Sequence, residues 1–261
     1  MNQKYQLQFI SRENLKTCLK EVYNSYREIF VSQDLKKFNR NKIDSLQILI
    51  ESIFLGKDLE RVIEGEIIRQ QNKACSNKLG ELHEKILHHI DPKWEKPKKV
   101  WDLVNTKQQI YVEIKTKHNT MNSSSSQRTY QRMEKKIKQE PQVQCYLVEI
   151  IAEKTQNEAW LISFGEKKSK NERIRRISID KFYEIITGDK QAFFKLIITL
   201  PPLLKEIVKE EGTIQIGENT VLSELEKQNP NHLLSLFNLS FQQYEGFREF
   251  LEENKEAFSN K

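Results

Sequence analysis

The chain has 261 residues, enough for one large domain or two modest ones with a real core. Hydrophobic residues make up 37% and charged residues 31%, which excludes a disordered chain, and 8 glycines with 6 prolines argue for few loops and much helix. Lys and Arg outnumber Asp and Glu by 43 to 37, a net charge of +6, and Cys18, Cys75 and Cys145 are too scattered for a metal site and fit a reducing cytoplasm.

The first residues, MNQKYQLQFI, lack the basic-then-apolar layout of a signal peptide. Residues 1–75 read as a mainly helical region, in which KIDSLQILIESIF sets Ile43, Leu46, Ile50 and Ile53 on one stripe with Leu49 and Phe54. NKLGELHEKILHHI is a second amphipathic helix, with Leu79, Leu82, Ile86 and Ile90 facing inward. Its His83, His88 and His89 do not read as a zinc site. No carboxylate or cysteine completes the set, and adjacent histidines cannot share a helix face. DPKWEKPKK then breaks the pattern with two prolines.

Residues 100–120, VWDLVNTKQQIYVEIKTKHNT, raise a question. Buried strands carry ionised groups only when those groups have a partner or a task. Residues 100–104 are apolar apart from Asp102, and 109–115 alternate with period two. Ile110, Val112 and Ile114 therefore share one face, and Tyr111, Glu113 and Lys115 the other. Asn105-Thr106-Lys107 has turn chemistry, which predicts an antiparallel hairpin with Asp102 on the strand beside Glu113. MNSSSS reads as a loop and 127–139 as a charged helix. VQCYLVEIIA, 143–152, is the most continuously apolar strand, expected at the centre of a sheet with AWLISF, 159–164, as its neighbour. The remainder alternates strand fragments with amphipathic helices, and FFKLIITLPPLL is too short and interrupted to span a bilayer. Near the C-terminus, Leu233, Phe237, Phe241, Tyr244 and Phe247 recur at helical spacing, a core or subunit-contact stripe.

Charge is unevenly spread. Residues 107–138 carry eight basic and two acidic side chains, 93–99 four and one, and 166–176 six and two. From residue 205 onward six basic face eleven acidic ones. A basic middle suggests a face built for a polyanion.

Two carboxylates on adjacent strands can hold a hard divalent cation such as magnesium, which takes few protein ligands and keeps several waters. A lysine two residues after the glutamate lies on the same face, about 6–7 Å along the strand. There its ammonium can sit beside a cation-bound water and a phosphate, which is what phosphodiester hydrolysis requires. Alone, a Glu-x-Lys pair on a solvent face is an ordinary ion pair. The aspartate between Trp101 and Leu103 and the basic segment after Lys115 favour chemistry instead.

Asp102, Glu113 and Lys115 resemble the PD-(D/E)XK nuclease motif, with Trp101 where the superfamily name has proline. The wider text, EIIRQQNKACSNKLGELHEKIL, VEIKTKHNTMN and FYEIITGDKQAFFKLIITLPPLL, resembles a family of type II restriction endonucleases that cut GGNCC-like palindromes, over residues 60–205. The resemblance implies an α/β nuclease core, a mixed central sheet flanked by helices, with additional mainly helical N- and C-terminal parts. It implies Mg2+ held by Asp102, Glu113 and the Ile114 carbonyl, water positioned or activated by Lys115, and products with 5′-phosphate ends. Lys117, His118, Asn119, Thr120, Asn122, Arg128 and Arg132 are candidates for DNA contacts, although Asn and Thr also suit turns and caps for local reasons. Glu66 and Glu81 precede the hairpin and read as solvated helix positions. The expected organisation is a helical region 1–75, a nuclease core 76–205 and an acidic helical region 206–261, either as separate parts or as one compact domain. The expected partners are double-stranded DNA and a second copy of the chain, in the cytoplasm and away from membranes. A cognate DNA methyltransferase would act on the same site without a stable complex. A repair or junction nuclease of the same superfamily and a non-catalytic DNA-binding protein are the rival readings.

Overall fold

Period-two alternation around Glu113 becomes β3 (Ile110–Lys117), an interior strand of the sheet, in a computed structural model that describes residues 5, 7–97, 100–254 and 256. The other strands are β1 (Trp94–Glu95), β2 (Leu103–Asn105), β4 (Gln144–Ile151), β5 (Asn157–Phe164) and β6 (Lys167–Ser178), in the order β1-β2-β3-β4-β6-β5. As the turn residues require, β2 and β3 pair antiparallel, with Leu103 opposite Val112. The ladder runs one residue past β2, because the Asp102 N–H donates to the Val112 carbonyl at 3.1 Å. β4 lies parallel to both β3 and β6, so the apolar run at 143–152 is central as its composition demands. The sheet is mixed and flanked by helices, the α/β class expected.

One expectation about the sheet fails. AWLISF is not the neighbour of β4 but the edge strand β5, and β6 lies between the two. Gly165, at φ 62°, opens the two-residue turn that folds β6 back against β5. KKSKNERIRRIS has no apolar alternation to announce a strand until Ile174 and Ile177, both fully buried. Its charges conceal it.

By contacts the chain divides into two units, Met1–Tyr23 with Ser76–Thr213, and Asn24–Cys75 with Ile214–Lys261. Two of the three boundaries fall inside α1 (Arg12–Phe30) and α4 (Leu59–Ile90). The helical region 1–75 is therefore shared between the units, and the acidic region contributes residues 206–213 to the first.

In the sheet unit, α5 (Ser123–Gln139) covers one face, where Tyr130, Met133 and Ile137 pack with Cys145, Leu147, Trp160 and Ile174. The serine run expected as a loop is the first turn of this helix, because the Asn122 side chain caps it by accepting from the Ser125 N–H at 2.8 Å. α6 (Ile179–Thr187) serves the opposite face: Phe182 packs against Trp94 and Tyr146 with ring centroids 5.8 and 5.9 Å apart. α7 (Ala192–Glu211) carries Glu206, Glu210 and Glu211, which pair with Arg12, Lys16 and Lys20 of α1. Part of the acidic excess after residue 205 thus neutralises α1. Within α4, Leu82 and Ile86 are buried as the periodicity implies and Leu79 is exposed.

His83 is buried, with Nδ1 3.2 Å from the Tyr183 hydroxyl. Burial pulls its pKa down to about 4. Between that value and the ordinary 6.5 the unfolded chain binds a proton that the native state refuses. Stability from this group is therefore complete above pH 6.5 and lost as pH falls toward 4. The loss should approach about 3 kcal/mol. Urea unfolding at pH 7 and pH 4.5 should show the drop in wild type and a much smaller one in His83→Gln; equal drops would refute it.

The second unit contains α2 (Leu35–Phe38), α3 (Ser45–Leu55), α8 (Val221–Gln228), α9 (His232–Phe241) and α10 (Phe247–Glu253). Phe38, Ile43, Ile48, Ile63, Val221, Leu225 and Leu236 form its core. The stripe expected on α3 is largely exposed, since Leu46, Ile50, Ile53 and Phe54 face out while Ile48 and Ser45 face in. Phe237 is buried with Leu233, Leu234 and Leu251, and Phe241 and Phe247 pack around them. A turn at 242–246 splits the C-terminal stripe between α9 and α10 and leaves Tyr244 exposed, while Phe237 is buried and so not available as a subunit contact. Among the described residues no helix is long and apolar enough to cross a membrane.

Candidate active site

The hairpin brings Asp102 beside β3, where its Oδ2 accepts the Ile114 N–H at 2.7 Å. That bond fixes the carboxylate against the strand carrying Glu113. Burial raises the Asp102 pKa, the charge of Glu113 raises it further, and the Ile114 N–H and the cations Lys115 and Lys96 oppose both effects. The two carboxylates repel each other across the hairpin.

Glu113 is 8% exposed, and both its oxygens are taken. Lys115 Nζ lies 2.6 Å from Oε1, which shows the two side chains on one strand face as alternation requires. Arg132 of α5 donates to Oε2 at 2.5 Å, and its guanidinium lies over the Trp101 ring, 5.0 Å from the centroid. Trp101 meets Tyr111 edge-on at 5.2 Å, and Lys136 lies over Tyr111 at 4.3 Å. Asp102, Glu113 and Lys115 are thus brought together, and Arg132 joins them rather than standing free on the helix surface.

The other candidates are spread along the chain that follows. Lys117 and Asn119 are exposed, Thr120 turns the chain by donating its hydroxyl to the Lys117 carbonyl at 2.9 Å, and Asn122 caps α5. His118 is tied into a cluster that sequence reasoning missed. Glu149, fully buried on β4 as the register partner of Lys115, accepts from Arg176 Nε at 2.8 Å. Arg176 also holds the His118 carbonyl at 3.1 Å and His118 Nδ1 at 2.6 Å, while His118 Nε2 lies 3.0 Å from Glu153. A glutamate inside an apolar strand was the available signal, the same one that marked Asp102.

Arg128 is exposed on α5. The β5–β6 hairpin adds exposed Lys167, Lys168 and Lys170, and Ser169 between them reaches Tyr130 and Glu134 of α5 at 3.4 Å each. Of the helical glutamates, Glu81 pairs with Lys78 at 2.9 Å and Glu66 with Arg69 at 2.6 Å. Glu84 is the one that burial lifts most clearly, with Asp102 adding to the rise and Lys96, 2.5 Å away, opposing it.

Among the described residues no group of three or more histidine, cysteine or acidic side chains forms a metal cage. The oxygen donors available are the carboxylates of Asp102 and Glu113, close enough for the charge of one to raise the pKa of the other. That suits a hard cation that keeps much of its own water, which would relieve the repulsion lifting the Asp102 pKa.

A family model described as Eco47II restriction endonuclease matches residues 7–209. The chain is 27% identical over 237 residues to the type II restriction enzyme Sau96I of Staphylococcus aureus, covering 87% of this chain and 90% of that protein. It is 28% identical over 217 residues to the type II restriction enzyme Eco47II of Escherichia coli, covering 78% of this chain and 89% of that protein.

Proposed function

The chain belongs to the Eco47II restriction endonuclease family and is a type II site-specific deoxyribonuclease, and from that premise we propose that it cuts both strands of a short GC-rich, GGNCC-like palindrome using magnesium. The observation that supports the chemistry is the pairing of Asp102, fixed by the Ile114 N–H at 2.7 Å, with Glu113 and Lys115 on the adjoining strand. Asp102 and Glu113 would hold the cation, helped by the Ile114 carbonyl. When bound, the cation supplies charge stabilisation and a water acidified for attack. Lys115 would orient the attacking water and stabilise charge developing on the phosphate. Its ammonium is already held in place by Glu113 Oε1. Cleavage leaves 5′-phosphate and 3′-hydroxyl ends. Incubation with plasmid and magnesium tests the reading: discrete fragments support it. Smearing or nicking would favour a structure-specific nuclease, and a shifted but uncut band a binding protein.

The DNA contacts proposed are Lys117, His118, Asn119, Thr120, Asn122, Arg128 and Arg132, with the hairpin lysines beside α5. Each neutralised phosphate releases counterions, so Arg128→Ala should reduce the slope of log affinity against log salt by about 0.9. An unchanged slope would make Arg128 ordinary surface. A two-fold site is most simply read by a two-fold protein, which gives each strand one active site. The protein should therefore act as a homodimer, and sedimentation that found one chain per cognate duplex would refute this. A DNA methyltransferase protecting the same site would complete the system without binding this chain stably.

A further inference from the structure

We infer that Arg132 is a displaceable counter-ion of Glu113: it occupies the carboxylate in the free protein, yields it to a divalent cation, and then serves the phosphate. This rests on the reading of Asp102 and Glu113 as cation ligands. Both oxygens of Glu113 are engaged, Oε1 by Lys115 at 2.6 Å and Oε2 by Arg132 at 2.5 Å. A carboxylate that already serves two cations is a poor ligand for a third. Lys115 sits on the same strand, so the partner best able to withdraw is Arg132, which reaches across from α5.

Two features equip Arg132 for the exchange. Its guanidinium lies over Trp101, which would keep the planar group in the site after the carboxylate is released. Its Nε is buried without a hydrogen-bond partner among the described residues, so the observed pose satisfies the side chain incompletely. An arginine stays charged throughout and presents a fork that matches phosphate oxygens.

The charge balance agrees. Two carboxylates with Lys115 and Arg132 make a formally neutral cluster. A divalent cation makes it doubly positive, the complement of the dianionic state that hydroxide attack on a phosphodiester creates. If Arg132 were only a structural partner of Glu113, one cation would suffice, and Lys115 already provides it.

The test uses the full-length protein and calcium alone, without DNA, followed by titration calorimetry and indole emission. Arg132→Gln should bind calcium about tenfold more tightly than wild type, because a positive charge has left the ligand. Arg132→Lys should stay near wild type, and Glu113→Gln should lose calcium binding. Calcium should shift the wild-type emission as the guanidinium over Trp101 loses its carboxylate partner, and Trp101→Phe should lose that signal while still binding calcium. At saturating DNA with magnesium, single-turnover cleavage by Arg132→Gln should fall about a hundredfold. Calcium binding by a well-folded Arg132→Gln that is no tighter than wild type overturns the inference; should that variant melt early, Arg132→Met repeats the measurement. Normal calcium binding by Glu113→Gln overturns the reading of the site itself, and the inference with it.

Discussion

Glu113→Ala should abolish cleavage while leaving specific DNA binding intact, and tighter than wild type in the absence of a divalent cation. The substitution removes a proposed cation ligand and frees Lys115 and Arg132, both held by that carboxylate, for the phosphates, with only Asp102 left to offset their charge. Lys115→Ala should lose cleavage on the order of 10³-fold, as its proposed role beside the charge of the transition state requires. Its binding should fall only slightly, because one phosphate contact is a small part of the total. Calcium should support binding without cutting, being larger and less strict in geometry than magnesium. Binding and cleavage have to be measured on the same variant. If Glu113→Ala still cuts at the wild-type rate with magnesium, Glu113 and Lys115 are a structural ion pair.

Arg176→Ala should destabilise the protein by about 3–5 kcal/mol, because it leaves the buried Glu149 without its guanidinium partner. Glu149 is fully buried, and its remaining polar neighbours are Gln156 at 3.3 Å and His118 at 3.6 Å. Against a total stability of about 5–15 kcal/mol that loss is severe. The double variant Glu149→Leu with Arg176→Met should recover most of it, since well-packed apolar replacements remove the desolvation cost of both charges. Its thermal stability should approach wild type, yet its DNA affinity should stay low, because Arg176 also holds the His118 carbonyl at the start of the loop leading to α5. Recovery of full affinity by the double variant would show that this cluster is purely structural. An unchanged melting temperature in Arg176→Ala would show that it is not structural at all.

How far the sequence could be read depended on how local the determinants were. Alternation at 109–115, turn residues at 105–107 and the apolar run at 143–152 are local signals. The hairpin, the shared face of Glu113 and Lys115 and the central place of β4 followed from them. Asp102 and Glu113 stood out for the same kind of reason, as carboxylates where alternation leaves little room for unpartnered charge. Helical spacing at 233–247 announced neither the turn at 242–246 that divides the aromatic stripe between α9 and α10 nor the core it joins, because what covers a face lies elsewhere in the chain.

Local patterns therefore determined the hairpin, the central strand and the carboxylates expected to bear the chemistry, and the family resemblance supplied the class of fold. Tertiary structure alone decided that β6 enters between β4 and β5 and that α1 and α4 each contribute to both units. It also decided that Arg132 and Arg176 turn inward to Glu113 and Glu149. The physical reason is one of range. Backbone periodicity is set by the side chains of the same few residues, whereas the partner of a charge is chosen by whichever segment folding brings within about 3 Å of it. Arg132 is 19 residues from Glu113 and Arg176 27 from Glu149. No local pattern distinguishes an arginine that will be drawn into the site from one that stays in water.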